Sequence, residues 1–313
     1  MQYRKLGEAG IRLSAVALGG WTTFGESIQD QALAREIIVS AYDSGINFFD
    51  IADAYARGES ERMMGKVLGD FPRHTLVISS KLYWPMSDDP NDRGLSRKHI
   101  MESVDKSLQR IGTDYLDIYY CHRFDADTPL EETVRAMDDL VHQGKVLYWG
   151  TSEWTGAQIA EAVGIARAHN LYAPRVDQPG YNLTRRTHVE KDVLPAARAH
   201  GIGLTTFSPL ANGLLTGKYD DGVPKDSRAT RNDRLREQAT GEAAERVRRL
   251  KPIADDLGIS RAQLAMAWIL RHPEVTSVIT GATKPEHIRA NAEAADAALS
   301  DDVLAQIEEL FPL

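Results

Sequence analysis

Four side chains of four types carry the chemistry this sequence suggests: Asp50, Tyr55, Lys81 and His122. Asp50 closes the apolar run that begins at Asn47, and Tyr55 follows five residues later, beyond the predicted strand end. Lys81 closes the run from Thr75, and His122 follows the run Leu116 to Cys121. Tyrosine titrates near pH ~10 and is a poor acid at neutral pH unless its anion is stabilised. A nearby ammonium does that, and a buried lysine keeps its charge only beside a carboxylate. Asp50 and Lys81 can form that pair and make Tyr55 more acidic, while His122 can donate to a carbonyl oxygen. Singly, each has an ordinary use as ion pair, solvated side chain, pocket wall or satisfied buried group. Together, at the ends of consecutive strands, they are hard to ascribe to packing.

Such residues need a frame that holds strand ends rigid and lets the following loops vary. Two short β-patterned segments, Gln2 to Leu6 and Ile11 to Leu18, flank a turn at Gly7 to Gly10 and predict an N-terminal hairpin. Strand and helix signals then alternate without a break, with strands starting at Ala15, Asn47, Thr75, Leu116, Val146, Arg175, Gly203 and Ser277. Helices are expected over Gln31 to Tyr42, Glu59 to Leu68, Ser96 to Gln109, Pro129 to His142, Gly156 to Ala168 and Val193 to His200. Further helices follow over Glu242 to Leu257, Ser260 to Arg271, Pro285 to Ala295 and Asp301 to Leu310. Between them, Ser208 to Thr240 breaks the rhythm and reads as a long functional loop after strand seven. The fold class is therefore α/β: a (β/α)₈ TIM barrel, one domain over residues 1–313, with an N-terminal β-hairpin.

Composition narrows the function classes. With 313 residues, 42% hydrophobic and 26% charged, the chain has the balance of a globular protein with a sizeable core. A net charge of -8 argues against general nucleic-acid binding, which rests on neutralising phosphates. Cys121 is the sole cysteine, so there is no intrachain disulfide, a usage that fits a reducing cytoplasmic setting. The apolar patch Leu13 to Leu18 reads as strand rather than leader, and no run reaches the ~20 apolar residues of a membrane span. The nine histidines form no convincing metal cluster, and a Gly-x-Gly-x-x-Gly string is absent.

In a barrel the active site is built at the C-terminal strand ends, which here read Gly20-Trp21, Asp50, Lys81, His122, Ser152, Gln178, Phe207-Ser208 and Gly281. The strings Asn47-Phe-Phe-Asp-Ile-Ala-Asp-Ala-Tyr55, Ile78-Ser-Ser-Lys81, Tyr120-Cys-His-Arg-Phe-Asp125, Trp149-Gly-Thr-Ser-Glu-Trp154, Gln178-Pro-Gly-Tyr-Asn182 and Phe207 to Tyr219 resemble the aldo-keto reductases. Trp21-Thr-Thr-Phe-Gly25 and the last of those strings look most like the branch holding potassium-channel β-subunits and their bacterial relatives. The resemblance covers nearly the whole chain. It implies a barrel enzyme that reduces aldehydes or ketones with NADPH, NADH being second choice, through a tetrad falling on Asp50, Tyr55, Lys81 and His122.

Cofactor positions carry over one at a time. Ser152 and Gln178 match residues that hold the nicotinamide carboxamide, Phe207 matches a stacking aromatic, and Gly20, Trp21 and Asp50 lie at the same end. Ser208, Pro209, Leu210 and Gly213 match a pyrophosphate cradle, with Lys218 and Arg228 on the loop folding over it. Gly281, Thr283, His287 and Asn291 match the adenosine end. The sequence departs from the family pattern at Ile51, Glu153, Gly180, His287 and Ala290. Trp21, Tyr55, Trp84 and His122 would line the substrate site with Trp154 at its mouth, though Trp84 and Trp154 could equally pack against neighbouring loops. The expected partner is a small-molecule carbonyl, without nucleic acid or membrane insertion, and a homo-oligomer stays open. Two rivals remain. One is a nucleotide-binding regulatory protein of channel β-subunit type with slow turnover, disfavoured by His122 where those subunits commonly have Asn. The other is an aldolase using Lys81 as a Schiff base.

Overall fold

Eight apolar runs alternate with amphipathic segments whose apolar faces need cover, and a strand barrel inside a ring of helices satisfies both. The computed structural model describes residues 1–225, 227–230 and 232–313. Strands β1 (Tyr3–Lys5) and β2 (Arg12–Ser14) pair as an antiparallel hairpin. Then come β3 (Val16–Gly19), β4 (Phe48–Asp50), β5 (Val77–Leu82), β6 (Leu116–Cys121), β7 (Val146–Ser152), β8 (Val176–Gln178), β9 (Gly203–Thr206) and β10 (Val275–Thr280). These eight run parallel in chain order, and β10 pairs back with β3 to close the barrel. The helices are α1 (Gln31–Asp43), α2 (Glu59–Leu68), α3 (Arg97–Ile111), α4 (Leu130–His142), α5 (Gly156–Ala168) and α6 (Leu194–His200). They continue with α7 (Asp233–Thr240), α8 (Glu242–Asp256), α9 (Arg261–Leu270), α10 (Pro285–Ala292) and α11 (Asp301–Leu310).

Helix starts follow the side-chain chemistry of their first residues. The Ser96 side chain accepts from the His99 amide, and Thr155 with Gln158 and Ser260 with Gln263 form reciprocal capping boxes. The expected long loop is a departure. Residues 208–240 hold two short 3₁₀ turns, Ala211–Thr216 and Arg228–Thr230, and helix α7, whose cap Asn232 accepts from the Leu235 amide. Helix α7 buries only Leu235 and Ala239, a single i,i+4 pair, which is too short a repeat to stand out as periodicity.

Strand alternation sets two cores. Leu6, Leu13, Ala17, Phe48, Val77, Ile118, Tyr120, Val176 and Ile279 form one cluster, so the hairpin plugs the N-terminal end of the barrel interior. The alternate strand residues, among them Leu18, Phe49, Ile78, Tyr119 and Cys121, pack outward against the helices. The same parity turns Asp50, Ser79 and Lys81 inward above the apolar plug. Among the described residues no helix is long and apolar enough to cross a membrane.

Candidate active site

At the C-terminal end of the barrel the four sequence-predicted chemical residues meet. Register places Asp50 beside Ser79 and Lys81 beside Tyr120. The Lys81 ammonium is fully buried and donates to Asp50 Oδ2 at 2.6 Å, the Ile51 carbonyl at 2.8 Å and Tyr55 Oη at 3.0 Å. Its three N–H donors are all engaged. Asp50 Oδ1 accepts from Ser79 Oγ at 2.8 Å and Gln178 Nε2 at 2.9 Å, so the carboxylate is held from both sides. The His122 ring stands edge-on to Tyr55 with centroids 5.8 Å apart. Its Nδ1 is buried without a partner among the described residues.

The electrostatics correct one expectation. Tyr55 is not made more acidic: burial and the Asp50 carboxylate push the phenol well above its usual value, and Arg123 only partly opposes them. Burial draws the Lys81 ammonium down from its ordinary range while Asp50 pushes back, and the Asp50 carboxylate that pairs with Lys81 itself raises Tyr55. Burial, Lys81 and Arg123 hold His122 well below the usual imidazole range. At neutral pH the site therefore presents a protonated phenol and a neutral imidazole, both able to donate to an oxygen.

These groups open into a cleft of about 750 Å³, a size suited to an organic ligand. Asp50, Tyr55, Trp84 and His122 line it at one end, and Ser152, Gln178 and Phe207 stand beside them. Along the cleft follow Ser208, Pro209, Leu210, Gly213, Lys218 and Arg228, and then Gly281, Thr283, His287 and Asn291. Trp21 lines it too, its ring 6.1 Å edge-on to Phe207. Gly20 does not reach the cleft, and Gly19 does; a side chain on Gly20 would run into Ser60 and Met64 of α2. Trp154 is fully buried against Phe124 and leaves the mouth to Trp21 and Trp84. Arg228 reaches across the cleft to donate to Thr22 Oγ1 at 2.7 Å.

Backbone strain collects at the same end. Among the described residues, the non-glycine residues in the left-handed region are Thr22, Ala56, Arg57, Tyr83, Glu153, Ser208, Ala211 and Asn212, all on segments that follow barrel strands, plus Asn170 elsewhere. Ser208, Ala211, Asn212 and Gly213 (φ 91°) put left-handed turns into the backbone along the cleft, the conformation from which anion-binding backbone nests are built. A Cβ on Gly213 would stand 2.7 Å from Lys218 Nζ, so glycine is needed there for space as well as dihedral.

Two departures from the family pattern turn out to be one unit. Glu153 Oε1 accepts from the Gly180 amide at 2.6 Å, and the carboxylate pairs with Arg185, whose guanidinium sits 6.0 Å from the Phe207 ring centre. A Cβ on Gly180 would come within 2.5 Å of Arg185 Nη1. Glycine at 180 makes room for an arginine that Glu153 holds over the aromatic. Sequence reasoning also missed Ser79, Tyr120 and Arg123. Strand parity could have found Ser79 and Tyr120, because both share the inward face with Lys81.

Asp177 faces away from the cleft and accepts from Thr151 Oγ1 at 2.7 Å, and burial pushes its carboxyl up to about 8. A carboxyl raised in the fold binds its proton more tightly than in the unfolded chain, so it contributes most stability below the unfolded pKa of ~4. That contribution declines as pH rises and is lost above about 8. Asp177→Asn is therefore expected to gain on the wild type by about 1.4 kcal/mol per pH unit between pH 5.5 and 7.5. Urea unfolding across that range reads the gap, and parallel curves would rule the account out.

Known proteins show the same pattern across the chain. A family model described as "Aldo/keto reductase family" matches residues 15–311. An Arabidopsis thaliana protein named "Probable voltage-gated potassium channel subunit beta" is 47% identical over 319 residues, covering 99% of this chain and 97% of its own. A protein of the same name from Oryza sativa subsp. japonica is 47% identical over 98% of this chain and 96% of its own. A Schizosaccharomyces pombe relative, also named as a channel subunit beta, is 41% identical over 99% of this chain and 93% of its own.

Proposed function

The chain belongs to the aldo/keto reductase family, whose members are nicotinamide-dependent oxidoreductases, and from that premise we propose that it reduces aldehydes or ketones with NADPH, Tyr55 giving the proton. One observation carries the reading. Lys81 Nζ donates to Tyr55 Oη, which leaves the phenol's own proton for an acceptor in the cleft. A bound reduced nicotinamide supplies the hydride that no side chain can. His122, neutral and beside Tyr55, donates to the carbonyl oxygen and fixes its position as negative charge develops. Tyr55 then protonates that oxygen, an alkoxide being a stronger base than a phenolate. Lys81, already hydrogen-bonded to Oη, stabilises the phenolate left behind.

The residues present suit the dinucleotide. Ser152 and Gln178 keep acceptor lone pairs for a carboxamide, and Phe207, braced by Arg185, offers a ring face. The left-handed backbone turns at Ser208 to Gly213 with Lys218 and Arg228 answer phosphate charge in an otherwise acidic protein. Gly281, Thr283, His287 and Asn291 would receive the adenosine end. The Schiff-base rival loses support, since Lys81 is fully buried with its donors engaged and does not line the cleft.

The relatives' names favour a second reading, a nucleotide-binding channel subunit with slow turnover. Absorbance at 340 nm with a panel of aldehydes separates the two. Turnover above about 0.1 per second, against an enzyme median near ~10, is expected from a reductase. NADPH binding, seen as quenched tryptophan fluorescence, without turnover on any aldehyde points to the subunit reading.

A further inference from the structure

Three cations line the cleft with no carboxylate partner among the described residues: Lys218, Arg228 and Arg123. Lys218 lies against Gly213 in the strained backbone, Arg228 reaches over the cleft from the long loop, and both suit the cofactor. Arg123 does not. It follows His122 directly, lines the opposite end with Tyr55 and Trp84, and holds its guanidinium 5.5 Å from the Trp84 ring centre. Of its five N–H donors, one is given to the carbonyl of His122, and the others have no protein partner among the described residues. The side chain is half-buried, so this charge is neither neutralised nor fully solvated. Its field is felt by His122, Tyr55 and Lys81.

A guanidinium with an unused planar fork is matched by a carboxylate, which it binds bidentately. Trp84 beside Arg123 and Trp21, which also lines the cleft, are 40% and 46% exposed, large aromatic faces that suit a flat apolar body. We propose that Arg123 is a specificity-determining residue that selects carbonyl substrates carrying a carboxylate on a flat, apolar body, such as aromatic oxo acids. This deepens the reductase reading and rests on it for the reaction, though not for the binding.

The test pairs 4-formylbenzoate with its neutral isostere 4-formylbenzamide, and separately the unreactive benzoate with benzamide. For wild type, kcat/KM is expected to favour 4-formylbenzoate by about tenfold or more, the scale of one charge-assisted bidentate contact. Arg123→Gln should bring that ratio to about one, and Arg123→Lys, which keeps charge without the fork, should leave it between. Calorimetry on the full chain with saturating NADP⁺ should show the same preference for benzoate over benzamide, lost in Arg123→Gln. If neither aldehyde is reduced but wild type still prefers benzoate, the reductase reading falls and the carboxylate site stands. Equal binding of benzoate and benzamide by wild type, or an unchanged preference in Arg123→Gln, overturns the proposal.

Discussion

Tyr55→Phe is expected to lower kcat for aldehyde reduction by about 10²–10⁴-fold, the range of a positioned general acid, and to leave NADPH affinity within about twofold. The substitution removes one oxygen. That oxygen accepts from Lys81 and carries the proton to be transferred, whereas the ring's packing beside His122 is kept. KM should move little, because a neutral carbonyl still meets the His122 donor. The pH profile is a second readout. Burial and Asp50 hold the phenol well above its ordinary range, and burial with Lys81 and Arg123 holds His122 well below its own. Neither group then changes charge between pH 6 and 9, so with Lys81 kept charged by its Asp50 partner the wild-type reductive rate should be flat there. A rate that falls tenfold across that window, or a Tyr55→Phe variant within threefold of wild type, would remove Tyr55 from the role of acid.

Much of this site could be read from the chain because strand ends punctuate it. Asp50, Lys81 and His122 each close an apolar run of period-two strand, so their meeting follows from the closed parallel order of β4, β5 and β6. What strand ends do not encode is sign and magnitude of field. The presence of Lys81 suggests a lowered Tyr55 pKa, but the outcome depends also on burial and on the Asp50 carboxylate that pairs with that ammonium at 2.6 Å. Helix α7 was hidden for the opposite reason, since it buries too little to leave a pattern. The Glu153, Gly180 and Arg185 unit was illegible because Glu153 follows β7 while Gly180 and Arg185 follow β8, and only the β7 and β8 pairing brings them together. Read singly, Glu153 and Gly180 weaken the family resemblance; read together, they brace Phe207.

Breaking the buried pair should have the largest effect on stability, and the way it breaks tells structure from chemistry. Lys81→Met leaves the Asp50 carboxylate 2% exposed with only the Ser79 and Gln178 donors for company. Removing one partner of a buried ion pair costs about 3–5 kcal/mol, because the remaining charge is uncompensated. Asp50→Asn combined with Lys81→Met removes both charges at similar volume, and such replacements are often close to neutral. Urea unfolding should therefore place the single variant about 3–5 kcal/mol below wild type and return the double variant most of the way. Reduction should stay at least about 10²-fold down in both, since each lacks the ammonium that stabilises the Tyr55 phenolate. Stability recovered without activity assigns the pair to proton transfer and makes its burial a cost of that role. If the double variant is as unstable as the single, the lost stability lies in the methylene packing of Lys81 against the barrel interior. If activity returns with stability, Lys81 serves only to hold the fold, and Tyr55 must be assisted by another cation such as Arg123, whose charge also draws its pKa down.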